Sequence, residues 1–288
     1  MTPLKTSRLA IVSTFFLMTS WITVFGADPK PAAAPDDQAL QLQGEYTTKD
    51  RAVHVIALGG GQFQCVIYEG GLPGAGWNRK EPRRVEGDAD TVLDLTEDSE
   101  KVLRKSPTLG AKPPEGAVVL FDGSQESLKN HWKEGAKVSD DGLLQVGVTS
   151  QDSFLDFSLH LEFLLPFMPE QRGQGRANSG LYLQGRYEVQ ILDSFGLEGK
   201  NNECGGFYSI KAPDQNLCFP PLSWQTYDVD FRAARFNEAG EKTETARVTV
   251  RHNGVVIHRD VQLPNTTPGG PSQDNADPGP VFLQNHGN

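Results

Sequence analysis

Between Phe157 and Phe163 every second residue is large and apolar: Phe157, Leu159, Leu161 and Phe163 alternate with Ser158, His160 and Glu162. Successive side chains of a strand point to opposite faces, so this spacing predicts a strand with one face in a core and the other in solvent or a cleft. Val189 and Ile191 alternate with Glu188 and Gln190 in the same way. Further strands are predicted at 180–184, 227–236, 246–251 and 255–258. Asn253-Gly254 joins the last two, and Asn-Gly between alternating apolar runs is the strongest short-range hairpin signal. No segment of comparable length carries a helical period. From residue 118 onward the chain is therefore predicted to be all-β, a two-sheet sandwich of the jelly-roll kind.

A smaller β unit is predicted over 38–105. Its clearest elements are AVHVIAL (52–58) and QFQCVIY (62–68), separated by Gly59-Gly60-Gly61 as in a hairpin, with weaker strands at 91–95 and 101–104. A unit of this size has little core of its own, so it is expected to pack against the larger domain. EGGLPGAGW (69–77) is glycine-rich but is followed by no Lys-Ser/Thr pair, and it is read as an irregular surface loop rather than a phosphate cradle. The proline and glycine content of SPTLGAKPPEGA (106–117) marks a linker.

Lys5 and Arg8 precede an apolar run from Leu9 to Phe25, and small residues close it before the polar, proline-rich ADPKPAAAPDDQ. That order is that of a secretory signal peptide over 1–26, followed by an unstructured leader over 27–37. It predicts a periplasmic or extracellular protein with no stable membrane insertion after cleavage, since no later segment is apolar enough to span a bilayer. Cleavage would remove two basic residues and no acidic one, taking the net charge from −10 to −12. With no basic stripe to neutralise phosphates, nucleic acid is not an expected partner, whereas an uncharged carbohydrate fits such a surface. Of three cysteines, Cys204 and Cys218 are the expected disulfide pair. Closing a loop of about 15 residues would contribute about 3 kcal/mol in the chain-entropy model.

The segment 178–193, NSGLYLQGRYEVQILD, carries the chemistry. Along a strand Glu188 and Gln190 point to the same side, roughly 7 Å apart, while Val189 and Ile191 enter the core. A β-bulge near Leu192 would bring Asp193 to the side of Glu188. The E-x-Q-x-x-D spacing resembles the E-x-D-x-x-E signature of laminarinase-type glucanases, with Gln190 in place of the middle acid and Asp193 in place of the final Glu.

A wider set of motifs resembles another family. FDG (121–123), DFSLHLEF (156–163), NSG (178–180), YEVQILDS (187–194), GGFY (205–208), SWQTYDV (223–229), HNGV (252–255) and LQNHG (283–287) occur in the order found in the 3-keto-disaccharide hydrolase family, whose domains are labelled 3-keto-glucoside 1,2-lyase/3-keto-2-hydroxy-glucal hydratase. The resemblance covers 116–288 and implies a concanavalin-A-like jelly roll in an exported protein. In the family an apolar strand follows LQ-x-H-G and closes a sheet; here the sequence stops at Asn288, and an open sheet edge is expected. The unit at 38–105 resembles an N-terminal extension found in some members.

The resemblance also implies a chemistry. A ketone at C3 acidifies the C2 hydrogen, so a base can remove that proton and expel the glycosidic oxygen from C1, after which water adds back. Such a site needs a base, an acid for the leaving oxygen, and donors or a cation for the enolate. Glu188, on the cleft face, is the candidate base, Asp193 the acid or a metal ligand, and His286 and Gln284 enolate donors. His160, Glu162, Asn178, Arg186 and Lys211 are candidate substrate contacts, with Tyr208 and Trp224 as stacking platforms. Carboxylates with His286 would suit a divalent cation, but no compact ligand motif assigns one, and the cofactor is left unknown.

Two other readings stand beside this one. In an ordinary glycoside hydrolase Glu188 and Asp193 would form the acid pair, about 5 to 5.5 Å apart for retention or about 6.5 to 9.5 Å for inversion. In a carbohydrate-binding module of the same fold, Glu188 would be tied up structurally.

Overall fold

The structure is a computed structural model and describes residues 20–21 and 37–287. The leader over 1–26 and the segment 27–37 lie outside the described residues, apart from Asp37 and from Ser20–Trp21, whose backbone pairs in parallel with Val118–Val119. No helix among the described residues is long and apolar enough to cross a membrane.

The predicted sandwich is present. One four-stranded sheet runs Tyr187–Ile191, Ser179–Leu183, Gly279–Leu283, Val148–Phe154; the other runs Val255–Leu263, Ala246–His252, Trp224–Arg232, Phe157–Leu164. Both are antiparallel throughout. The alternation sets what lies between them. Leu181, Leu183, Val189 and Ile191 from the first sheet share a core with Leu159, Leu161, Phe163, Val229 and Phe231 from the second. Each such side chain contributes roughly 1.5 to 3 kcal/mol on burial. Asn253 and Gly254 form the predicted two-residue turn with φ of 49° and 78°, the double positive φ that Asn-Gly tolerates.

The small unit is a five-stranded sheet in the order Arg83–Gly87, Gln62–Glu69, Arg51–Gly59, Gly44–Thr47, Glu100–Val102. The segment read as a strand at 91–95 is instead part of a helix, Ala89–Thr96. Asp88 caps it by accepting the Thr91 amide, and the i, i+4 pair Val92 and Thr96 supplies its buried face. The central strand is buried on both sides. Val53, Val55 and Ala57 face a local core with Val92, while Ala52 and Ile56 join the main core. His54, on that second side, stacks on Phe195 of the sandwich at 4.4 Å between ring centroids. Arg104 adds a further tie: its Nε donates to Glu45 at 2.7 Å, one Nη donates to the Pro73 carbonyl at 2.7 Å, and its guanidinium covers the Phe219 ring. Leu72, in the glycine-rich segment read as surface loop, is buried in the main core.

The expected Cys204–Cys218 disulfide is not formed. Both are buried free thiols with partners of their own, Cys204 on the Tyr227 hydroxyl at 3.1 Å and Cys218 donating to the Leu192 carbonyl at 3.6 Å.

Candidate functional site

Site geometry follows from the register of one hairpin. Tyr182 stands opposite Glu188 and Gly180 opposite Gln190, so the outward face of the first sheet carries Glu188, Gln190, Gly180 and Tyr182 side by side. The next strand adds Phe282 beside Tyr182, and the Gln284 amide donates to the Gly180 carbonyl just beyond the strand's end. Glycine at position 180 leaves a hollow in the middle of this face. A Cβ there would lie 2.3 Å from Oε1 of Glu188, so the carboxyl group occupies the room the missing side chain provides.

Glu188 is buried, and among the described residues no cation is paired with it. Its side-chain partner is the Tyr182 hydroxyl, 3.1 Å from Oε2. Burial pushes the carboxyl up to about 7, more than the Tyr182 hydrogen bond lowers it. A carboxyl group balanced there carries a usable fraction of both forms near neutrality, the condition for a general base. Burial, followed by the charge of Glu188, raises the Tyr182 phenol in turn, and Tyr208 is near enough to contribute. Gln284 donates to the Tyr182 hydroxyl at 3.3 Å.

The row continues through amides. Gln190 donates to the Asn178 carbonyl oxygen at 2.7 Å, and Asn178 donates to Gln174 at 3.1 Å. Gln174 in turn donates to the Asn202 carbonyl at 2.8 Å. Gln174 lines one shallow depression with Met168, Gln171 and the exposed His286, and its bond to Asn202 reaches the border of a second that Tyr208 and Asn201 also line. Amides that both donate and accept, with aromatic edges, suit hydroxyl-bearing ligands.

Other expected site residues lie elsewhere or are engaged. The ladder carrying Glu188 runs without a bulge and ends at Ser179↔Ile191. Asp193 beyond it is fully enclosed and paired with Arg176 Nε at 2.6 Å, its other oxygen accepting the Phe195 amide at 3.2 Å. His160 and Glu162 belong to the opposite sheet, on its outward face, and do not share a cleft with Glu188. His160 is clasped between Asp228 at 2.6 Å and Glu162 at 3.2 Å. The linker covers them, Thr108 donating to Asp228 at 2.8 Å and the Gly110 amide to Glu162. Arg186 clamps the segment 273–277 through the Gln273 and Asp277 carbonyls and Asn275. Lys211 forms a partly exposed ion pair with Asp214. Trp224 walls an apolar groove of about 260 Å³ with Leu144, Leu164 and Ile191, and Glu162 and Asn178 line the same groove. Among the described residues no group of three or more His, Cys, Asp or Glu side chains is gathered for a metal ion.

Three residues of the site escape a reading by motif: Tyr182, Gln174 and Thr267, whose hydroxyl accepts the Glu188 amide at 2.8 Å. Tyr182 was within reach, since period two from Gly180 puts it on the cleft face and the turn at Gln184-Gly185-Arg186 sets it against Glu188. Thr267 comes from a distant loop and had no local signal.

The profile of the 3-keto-alpha-glucoside-1,2-lyase-like domain matches residues 116–288. Among solved structures, a putative glycosyl hydrolase from Parabacteroides distasonis ATCC 8503 is similar at 33% identity, covering 59% of this chain and 76% of that one with a TM-score of 0.52. A second putative glycosyl hydrolase from the same organism is similar at 18% identity, over 59% and 87% of the two chains, with a TM-score of 0.41. No curated protein matches the chain.

Proposed function

Because the chain belongs to the 3-keto-alpha-glucoside-1,2-lyase-like domain family, we propose that it is an exported carbohydrate-active enzyme that cleaves 3-keto-glycosides by elimination across C1–C2 and readdition of water. The observation that carries this reading is Glu188: a buried carboxyl pushed up to about 7, without a cationic partner among the described residues, seated in the room that Gly180 leaves. Elimination needs one base near neutrality more than it needs two carboxylates. The C2–H pair moves into the bond toward C3 as Glu188 takes the proton, and the enolate then re-forms the ketone while expelling the glycosidic oxygen from C1. Water adds its oxygen at C1 and a proton at C2, so the net change is hydrolysis. Gln284 and the Gln190–Asn178 amides are the donors proposed for the substrate oxygens, and His286, exposed at the margin, is proposed to protonate the leaving oxygen.

A retaining or inverting glycosidase is less well supported, because its second carboxyl would be Asp193, and the Arg176 guanidinium already occupies that group. The test is to incubate the protein with 3-keto-trehalose and with trehalose. The keto sugar alone is expected to release glucose, with a transient ultraviolet band from the conjugated enone. Equal cleavage of trehalose would overturn the reading in favour of an ordinary glycosidase, and binding without turnover would favour a lectin. Export is checked by mass spectrometry of the secreted protein, with a mature start expected near Ala27 or Asp28.

A further inference from the structure

The Tyr182 hydroxyl has more acceptors than hydrogens. Its oxygen lies 2.7 Å from the Pro268 carbonyl and 3.1 Å from Oε2 of Glu188, while Gln284 donates to it from 3.3 Å. A phenol has one hydrogen to give, and neither a carbonyl nor an ionised carboxylate can give one back. If Glu188 is ionised, the hydrogen can serve Glu188 or Pro268 but not both. If Glu188 carries a proton, the carboxyl group donates to the Tyr182 oxygen and Tyr182 donates to Pro268. All three contacts are then satisfied.

Pro268 belongs to a loop seated on the Glu188 strand. The Thr267 amide donates to the Arg186 carbonyl at 2.9 Å and the Thr267 hydroxyl accepts the Glu188 amide. Gly269, at φ +81°, lets the loop approach so closely that a Cβ would lie 2.9 Å from the Tyr182 oxygen. We propose that Tyr182 is a positioning residue that couples the protonation of Glu188 to this loop, tethering residues 264–270 beside Glu188 when it holds a proton and releasing them when it does not. Of the ionisable side chains around Glu188, the Tyr182 phenol is the one hydrogen-bonded to it, and Tyr208 lies near enough to act on Tyr182. The nearby Arg186 guanidinium is spent on Gln184, Gln273, Asn275 and Asp277. The consequence for turnover rests on the function proposed above: the loop would be fastened just after Glu188 has taken the C2 proton, retaining the unsaturated sugar until water adds.

Hydrogen–deuterium exchange on the full chain without any sugar tests the coupling independently of that function. Corrected for the intrinsic rate, exchange across 264–272 is expected to quicken about 3- to 10-fold from pH 5.5 to 8.5, the worth of one net hydrogen bond. In Glu188→Gln the amide donates to Tyr182 as a protonated carboxyl does, so the loop should stay protected at both pH values. In Tyr182→Phe it should exchange quickly at both. A wild-type pH response persisting in either variant would overturn the proposal, and if Tyr182→Phe fails to fold, Glu188→Gln decides alone.

Discussion

Gly180 and Glu188 share one volume: a Cβ added to Gly180 would come within 2.3 Å of the Glu188 carboxyl oxygen. The atom it would strike is the end of a flexible side chain, so the backbone can remain while the carboxyl group is displaced. Gly180→Ala is expected to fold with little change in melting temperature and to lose most of its turnover on a 3-keto-glycoside. Full turnover would mean that the placement of the Glu188 carboxyl does not matter to the reaction.

Glu188→Gln preserves shape and removes proton-accepting power. Turnover is expected to fall about 10²- to 10⁴-fold. In the wild type, activity should rise with pH through about 7, as the base ionises. Stability should move the other way. A carboxyl whose folded value is raised contributes stability that is complete below its unfolded value of 4.5 and is lost as pH rises through about 7, a span of order 3 kcal/mol. Urea midpoints at pH 5 and 8 should therefore diverge in the wild type and differ less in Glu188→Gln.

Arg176→Ala leaves the Asp193 carboxylate enclosed without its partner, and breaking such a pair costs about 3 to 5 kcal/mol. Denaturant unfolding should show a loss of this size. Asp193→Asn is expected to weaken the fold and slow every substrate alike. Selective rescue by a nitrophenyl leaving group would instead identify Asp193 as the acid.

His160 sits in burial that would lower its pKa, but the Asp228 and Glu162 carboxylates outweigh it and raise it to about 9. Its contribution is complete below the unfolded value of 6.5 and is lost as pH rises through about 9. Wild-type protein should lose stability between pH 7 and 10, and protease should begin to cut the linker at 106–111 as its anchorage on Asp228 and Glu162 weakens. A linker equally resistant at both pH values would count against this role.

Period two in 157–163 and 187–191 determined strands, their core faces and the outward position of Glu188 and Gln190, because alternation in a strand is a local property of the backbone. Asn253-Gly254 determined its turn for the same reason, and the ordered motifs from FDG to LQNHG marked the family. The stretch 91–95 misled, since its apolar residues suit either a strand or a short helix and the Asp88 cap decided the matter. What the sequence could not determine was which outward faces belong together. His160 and Glu188 have the same local pattern, yet the two sheets pack core to core and send them to opposite sides of the molecule. Asp193 looks like a second site acid until Arg176 closes on it, and Thr267 reaches Glu188 across 79 residues of chain. Those pairings are fixed by how the sheets and loops fill space together, where burial and partner choice are set by distant segments rather than by neighbours along the chain.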